Sequence, residues 1–150
     1  MSKVSFSVSA RTAKLIGQEN FANAEGAIVE LVKNGYDADA KNCIIIFQNH
    51  GHFADAPTIY IVDNGVGMDV EVIKNNWMKI GTDDKLQNYL SGGGRVKTGA
   101  KGIGRFALDR LGLSSEMYTV SKEPIEGSIW KVEWSDFDRL GIAIHEVEAD

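Results

Sequence analysis

Three polar residues recur at helical spacing near the start of the chain, and they constrain its fold more than any other feature. Glu30, Asn34 and Asp37 lie four and then three residues apart. On an α-helix, which turns by about 100° per residue, this spacing places the three side chains on one narrow face. The apolar and small residues on the opposite side are Ile28, Leu31, Val32 and Gly35. This face could orient a water molecule or bind a hard cation, although most such polar faces are only solvated.

A second segment, residues 58–68, reads as an apolar strand that ends at Asp63. A turn containing Gly65 and Gly67 follows it directly. A carboxylate at a strand end is costly to desolvate unless it is hydrogen-bonded, and glycine lets the backbone approach a flat ligand closely. The simpler alternative is an ordinary Asp-Asn-Gly turn, which is common after a strand.

A third segment, residues 98–107, is rich in glycine and leads into a predicted helix. Backbone N–H groups at such a junction can bind phosphate, and the alternative is a flexible surface loop. Residues 102–107 also fit a Gly-x-Gly-x-x-Ala dinucleotide pattern, but no strand directly precedes them, so that interpretation fails. A Walker A interpretation fails as well, because no Gly-Lys-Ser/Thr follows at the required spacing.

Taken in this order, the three segments resemble the sequence boxes of the GHKL ATPase superfamily, which includes gyrase, the ninety-kilodalton heat-shock chaperones, histidine kinases and MutL. The residues that match the boxes are Glu30, Asn34, Asp37 and Ala38, then Asp63, Gly65 and Gly67, then Gly99, Gly102 and Gly104. The resemblance runs from about Phe21 to Gly112. Met68, Asn76 and Thr82 place it closest to the heat-shock-chaperone and MutL branches. Histidine kinases match less well, because their first box usually lacks the Asp-Ala ending.

The resemblance implies ATP as ligand and Mg²⁺ as cofactor, with specific roles for five residues. Asp63 would accept a hydrogen bond from the exocyclic amine of adenine, and Gly67 and Met68 would line the base pocket. Asn34 would bind Mg²⁺ through its side-chain oxygen, with phosphate oxygens and water completing the shell. Glu30 would position and activate the attacking water, so that hydrolysis depends mainly on positioning and electrostatics.

Further positions follow from the resemblance with less specific roles. The residues expected near the sugar and phosphates are Asp37, Ala38 and Asn76. The residues expected to cover the phosphates as a lid are Gly99, Lys101, Gly102, Ile103 and Gly104. Thr82 and Lys85 resemble a Thr-x-x-Lys motif next to the lid. Lys101 and Arg105 either add positive charge or face solvent. The threonine that the family usually places near adenine has no assigned counterpart.

Composition is that of a globular domain. The chain has 150 residues, of which 43% are hydrophobic and 25% charged, so one domain with a sizeable core is expected. The net charge of −5 gives no overall attraction to nucleic acid or to an anionic membrane. Cys43, which opens an apolar strand, is expected to be a small core residue, and a single cysteine favours a reducing, cytoplasmic location. His50 and His52 indicate a surface turn rather than a metal site.

Hydrophobic periodicity predicts an α+β fold. The predicted helices cover residues 10–17, 22–39, 70–78 and 106–111, and the predicted strands 4–8, 43–48, 58–62, 116–121, 128–134 and 142–147. Strand 43–48 is continuously apolar and is predicted to be buried, whereas residues 81–104 are predicted to form a long loop. The implied architecture is a two-layer sandwich in which helices cover one face of a mixed, mostly antiparallel sheet.

We therefore expect a single ATP-binding domain over residues 1–150 that belongs to a longer protein as an N-terminal fragment. By resemblance, ATP binding would drive closure or homodimerisation of that protein. Hydrolysis would be weak in the fragment, because family members take a lysine or arginine from a following domain. A protein client or DNA would be contacted by following domains, and no membrane is involved. The alternatives are a nucleotide-gated interaction module and a histidine-kinase-type phosphotransferase.

Overall fold

The computed structural model describes residues 7–21, 23–48, 57–81, 89–98 and 102–150. Two α-helices open the chain, α1 over Ala10–Asn20 and α2 over Ala24–Asp37. Helix α2 begins where the Asn23 side chain accepts a hydrogen bond from the Gly26 N–H at 2.9 Å, as is typical of an N-cap. Both predicted N-terminal helices are confirmed, and α1 is three residues longer than predicted.

Four strands form two antiparallel pairs within the described ranges. Strand β1 (Cys43–Gln48) pairs with β2 (Thr58–Asp63), so that Cys43 lies opposite Asp63. Strand β3 (Ser114–Lys122) pairs with β4 (Ile125–Glu133) over their full lengths. The two ladders are separate two-stranded sheets, and together with the helices they confirm the α+β class.

The helical elements that follow the strands are short. Helix α3 (Val70–Val72) is capped by Asp69, whose Oδ1 accepts from the Val72 N–H at 2.7 Å, and it continues as a π-helical turn over Ile73–Trp77. The predicted N-cap is thus confirmed, but most of the predicted helix is π-helical. The 3₁₀ helices are Gly104–Arg110, Trp134–Asp138 and Ile144–Glu146.

The hydrophobic core lies around the 104–110 helix. Phe106 is 2% exposed and meets the rings of Trp134 and Phe137 at 6.4 and 6.3 Å between centroids. Trp130 and Val132 of β4 are buried in the same cluster. The 104–110 helix packs against both α1 and α2, so it connects the core to the polar helix face.

Strand β1 is exposed, and the prediction that it is buried is wrong. Ile44 and Phe47 are 56% and 58% exposed. An apolar run is buried only if other elements cover it, and α2 packs mainly on the 104–110 helix. Between α2 and β1 there is instead an open groove, lined in part by Ile28, Val32 and Ile45. Cys43 is partly buried rather than a core residue.

The predicted strand 142–147 is also wrong, because a 3₁₀ helix occupies Ile144–Glu146. The Ala143 N–H donates to the Glu146 carboxylate and the Glu146 N–H donates to the Ala143 carbonyl, so the backbone closes into a turn. Of the predicted strand 4–8, only the last two residues are described, and they are not in a strand. No helix in the described part of the chain is long and apolar enough to cross a membrane.

Candidate functional site

The first and third boxes meet at Asn34. This residue lies on α2, and a Cβ atom placed on Gly104 would lie 3.7 Å from its Nδ2 and 3.8 Å from its Oδ1. The backbone that opens the 104–110 helix therefore passes directly beside the side-chain amide. An oxygen ligand and a glycine backbone brought together in this way can hold a cation and the anion bound to it.

The first and second boxes meet at Gly35. A Cβ atom at this position would lie 3.2 Å from the Asp63 Cβ and 3.6 Å from its Oδ2. Glycine inside a helix costs about 1 kcal/mol relative to alanine, and here it lets β2 end directly on α2. The Asp63 Oδ1 accepts the Gly65 N–H at 2.8 Å, which orients the carboxylate.

The turn after β2 is fixed by backbone contacts on both sides. The Val66 N–H donates to the Ala38 carbonyl at 2.9 Å, and the Val66 carbonyl accepts from the Lys122 N–H at 3.2 Å. Gly67 has a φ of +71°, and a Cβ atom there would lie 1.9 Å from the Val120 carbonyl oxygen. The turn therefore accepts no side chain at this position.

Thr119 is a residue of this site that the sequence interpretation missed. Its Oγ1 accepts the Met68 N–H at 2.9 Å, so the side chain lies at the end of the Gly67 turn. The alternation of β3 contains the signal, because Met117, Thr119 and Ser121 share the inward-facing side of the strand.

Glu30 lies one helical turn before Asn34 on the same face of α2. Its Oε1 accepts from Lys33 Nζ at 2.6 Å, and its side chain is 28% exposed. The carboxylate therefore shares its face with the amide, as predicted, but it also has a cationic neighbour that the sequence interpretation did not consider. A water at this site would compete with the Lys33 ammonium for Oε1 of Glu30.

Asp37 and Asp39 connect the end of α2 to the segment 89–98. Asp37 Oδ1 accepts from the Thr98 N–H at 2.8 Å and from the Thr98 hydroxyl at 3.1 Å. Asp39 Oδ1 accepts from the Ser91 hydroxyl, and its Oδ2 accepts from the Gly93 N–H at 2.7 Å. The Ser91 hydroxyl, followed by the Gly93 N–H, lowers the pKa of Asp39 below its ordinary value of 3.8.

Arg95 completes the attachment of this segment. Its Nη1 donates to the Ala40 carbonyl at 2.7 Å and to the Tyr36 carbonyl at 3.3 Å, and its guanidinium lies 4.9 Å from the centroid of the Tyr36 ring. The described portion of the predicted long loop is thus a compact segment held on α2. We call residues 89–98 the docked segment.

Arg105 is buried, so it does not face solvent, which was one of the two roles predicted for it. It is 9% exposed, and its guanidinium lies 5.7 Å from the centroid of the Trp77 ring. Its Nη2 donates to carbonyls of Asn76, Lys79 and Gly102. Burial lowers the pKa of Arg105 to about 10. Asn76 therefore contributes a carbonyl here, while the residue as a whole is exposed.

Comparison with known proteins identifies the family of the chain. A family model described as histidine kinase-, DNA gyrase B- and HSP90-like ATPase matches residues 22–146. The chain belongs to this ATPase family. It is also similar to the putative type II restriction enzyme HgiDII of Herpetosiphon aurantiacus, with 28% identity over 113 residues. The match covers 75% of this chain and 17% of that protein, so the chain spans only a small part of its relative.

The residues of this ATPase-family domain fit a nucleotide with its metal ion. Gly104, which carries no side chain, lies beside the Asn34 amide, and the Asp63 carboxylate lies beside Gly35. Within the described ranges no cluster of three His, Cys, Asp or Glu side chains could hold a metal ion. Magnesium is commonly bound by few protein oxygens together with substrate phosphates, which matches this donor set.

Several predicted positions lie outside the described residues. These are Thr82, Lys85, Gly99 and Lys101 of the predicted lid region and the two histidines His50 and His52. Gly102 and Ile103 are described, and both lie at the start of the 104–110 helix, where the Ile103 carbonyl accepts the Phe106 N–H at 3.0 Å.

Cys43 lies opposite Asp63, and burial, followed by the charge of Asp63, raises the pKa of its thiol.

Proposed function

We propose that this domain binds ATP with Mg²⁺ and hydrolyses it slowly, in the manner of the heat-shock-chaperone and MutL branches. The observation that carries the proposal is the convergence of three distant segments on α2, with Gly104 beside Asn34 and Asp63 beside Gly35. Residues 1–150 would form one ATP-binding domain of a longer protein. Nucleotide binding would drive that protein to close or to form a homodimer.

The base would bind at the turn after β2. Asp63 Oδ1 is held by the Gly65 N–H, so Oδ2, which lies beside Gly35, would be the oxygen that accepts from a ligand amine. Adenine presents an exocyclic amine where guanine presents a carbonyl, so a carboxylate here would select adenine. Gly67 and Met68 would line the pocket, and Thr119 would hold the Met68 backbone in place.

The phosphates would bind between α2 and the start of the 104–110 helix. Backbone N–H groups of Gly102, Ile103 and Gly104 would contact phosphate oxygens, and Gly99 and Lys101 would extend this contact. Asn34 Oδ1 would be the protein ligand of Mg²⁺. When bound, Mg²⁺ would neutralise negative charge on the phosphate oxygens.

Hydrolysis would depend on Glu30. Its carboxylate lies on the same helix face as Asn34, where it could accept a proton from a water aligned with the terminal phosphate. The Lys33 ammonium at 2.6 Å would have to leave one carboxylate oxygen available for that water. The remaining proposed contacts, near the sugar and phosphates, are those of Asp37, Ala38, Asn76, Thr82 and Lys85.

The same ion pair favours a second candidate, a nucleotide-gated interaction module in which hydrolysis is unimportant. In that case Lys33 would keep Glu30 from activating water, and ATP would act only as a switch. The name of the relative, a putative restriction enzyme, supports DNA as the partner of the following domains; a protein client is the alternative. The cytoplasm is the proposed location.

Titration calorimetry of the chain with MgADP, MgATP and MgGTP tests nucleotide binding. We expect saturable binding of the adenine nucleotides only, and Asp63→Asn should weaken it by at least about tenfold, since a hydrogen bond to a charged group contributes roughly 1.5–3 kcal/mol. Equal binding of MgGTP, or unchanged binding by Asp63→Asn in a folded protein, would contradict the proposed base pocket.

Single-turnover measurements with Glu30→Gln separate the two candidate functions. If the domain is an ATPase, the variant should retain MgATP binding and lose turnover by at least about a hundredfold, as is typical of a general base. Lys33→Ala is the matched variant, and it should keep or raise turnover. If wild type and Glu30→Gln turn over ATP at the same rate, the switch without hydrolysis is the better description.

A further inference from the structure

We propose that Arg105 is a positioning residue, which fixes the phosphate-binding backbone at Gly102–Gly104 against the helical segment that follows Met68. The inference rests on the proposed function, and it assigns to one buried side chain the task of setting the shape of the phosphate site. Neither the box pattern nor the family match gives this role to Arg105. The geometry around its guanidinium does.

Arg105 joins two parts of the chain that are far apart in sequence. Its Nη2 donates to the Gly102 carbonyl at 3.0 Å on the phosphate side. The same nitrogen donates to the Lys79 carbonyl at 2.8 Å and to the Asn76 carbonyl at 3.3 Å, at the end of the π-helical turn. All three bonds come from the two N–H groups of Nη2, so one N–H is shared between two carbonyls, and because these N–H groups lie in the rigid guanidinium plane they hold the carbonyls at fixed relative positions.

The site is an unfavourable one for a charged side chain. Arg105 is 9% exposed, and no carboxylate of the described residues forms an ion pair with it. Its Nη1 is buried without a hydrogen-bond partner among these residues. A methionine or leucine of similar volume would avoid the cost of burying an unpaired charge. Protein stability alone therefore does not account for an arginine here, whereas precise placement of the three carbonyls does.

The residues on either side of Arg105 connect it to the phosphate site and to the core. Gly104 precedes it and lies beside the Asn34 amide. Phe106 follows it and is fully packed in the core. With the core on one side and the three carbonyls on the other, the backbone at Gly104 is held at a fixed distance from Asn34. A nucleotide then meets a phosphate site that is already formed, which reduces the entropy cost of binding.

The test compares the affinity that phosphate groups add to binding in three proteins. The ratio of the adenosine Kd to the MgADP Kd is measured by calorimetry for wild type, Arg105→Lys and Arg110→Lys. Lysine keeps the charge but loses the planar fork. Arg110 is the control because it lies on the same helix and donates Nε–H to the Phe21 carbonyl at 3.0 Å.

We expect the ratio to fall by at least about tenfold in Arg105→Lys, with the adenosine Kd unchanged, and to stay within about twofold in Arg110→Lys. Partial unfolding would weaken both ligands by the same factor, so it cancels in the ratio. An unchanged ratio, or an equal loss of adenosine and MgADP affinity, would overturn the inference while leaving the proposed function intact. If wild type binds neither ligand, the proposed function fails and the inference fails with it.

Amide hydrogen exchange gives a second readout, which needs no nucleotide. The Phe106 N–H donates to the Ile103 carbonyl at 3.0 Å, within the backbone that Arg105 is inferred to hold. In the free protein this amide should exchange faster in Arg105→Lys than in wild type and in Arg110→Lys. Equal exchange in all three proteins would show that the backbone keeps its place without Arg105.

Discussion

The two walls of the candidate site are held in different ways. Residues 63–68, where we propose that the base binds and which we call the base wall, are fixed mainly by backbone atoms, with Gly67 pressed against the Val120 carbonyl and Val66 bonded on both sides. Gly102–Arg105, where we propose that the phosphates bind, is attached mainly by charged side chains, as is the docked segment, and we call these two segments together the phosphate wall. Those side chains are Asp37, Asp39, Arg95 and Arg105.

Because the two walls are held differently, only one of them can change without a change in the fold. Contacts between backbone atoms do not depend on which side chains are present, so the base wall keeps its structure as long as the domain is folded and loses it when the domain unfolds. Bonds from charged side chains depend on protonation and on the identity of single residues, so the phosphate wall can be altered while the fold persists.

The largest expected effect is that of Gly67→Ala in the base wall. The new Cβ would lie 1.9 Å from the Val120 oxygen, and alanine would also be forced into a positive φ. We expect the free energy of unfolding to fall by at least about 3 kcal/mol, measured by urea denaturation. Gly127→Ala on β4 is the control, since nothing lies within 4 Å of its Cβ position, and it should be nearly neutral. A Gly67→Ala protein as stable as the control would refute the view that backbone contacts fix this wall.

A smaller and more local effect is expected from Asp39→Asn in the phosphate wall. Asparagine keeps the shape and tolerates the φ of 61°, but it loses the charge and one acceptor. Amide exchange at Gly93 should speed up by roughly tenfold, because its N–H bonds to the carboxylate, while exchange at Val66 should not change. Asp136→Asn, at an exposed ion pair with Arg139, is the control. Faster exchange at both amides would contradict the separation of the two walls.

Lowering the pH should also weaken the attachment of the docked segment before it affects the base wall. The pKa of Asp39 is lowered on folding, so the stabilisation that this carboxylate provides is complete above 3.8 and is lost as the pH falls through the folded value. Protection of the Gly93 amide against hydrogen exchange, corrected for intrinsic exchange, should therefore decline as the pH falls below 3.8. Protection of the Val66 amide should decline only at a lower pH. Simultaneous loss at both amides would mean that the docked segment opens only with the whole domain.

Arg95→Lys should have the smallest effect. The substitution keeps the charge near Asp39 but loses the planar contact with the Tyr36 ring and the paired bonds to the Tyr36 and Ala40 carbonyls. We expect a loss of about 0.5–1 kcal/mol in thermal or urea unfolding, since the site is partly exposed. A loss as large as that of Gly67→Ala would show that the docked segment is part of the central fold.

Features set by neighbouring residues could be predicted from the sequence. The helical spacing of Glu30 and Asn34, the cap at Asp69 and the glycine turn after β2 all follow from local rules, and the structure contains each of them. The alternation over residues 128–134 also places Trp130, Val132 and Trp134 on one side of the chain, and all three are buried in the core.

Features set by distant partners could not be predicted in this way. The bond from Gly93 to Asp39 spans 54 residues, and the bond from Arg105 to Asn76 spans 29, with no periodic pattern to indicate either. The exposure of β1 has the same origin, because an apolar strand sequence does not say which element covers it. The turn at 144–146 depends on one carboxylate that satisfies a backbone N–H.

Two adjacent side chains of helix 104–110 have different roles. Arg105 donates to the carbonyls of Gly102, Asn76 and Lys79. Phe106, beside it, fills the core and lies so close to α1 that a Cβ at Gly17 would lie 2.8 Å from its carbonyl oxygen. A core substitution that rotates this helix must also move the arginine. We therefore expect heat resistance and nucleotide affinity to evolve together in this domain, because selection for either acts on the orientation of the same short helix.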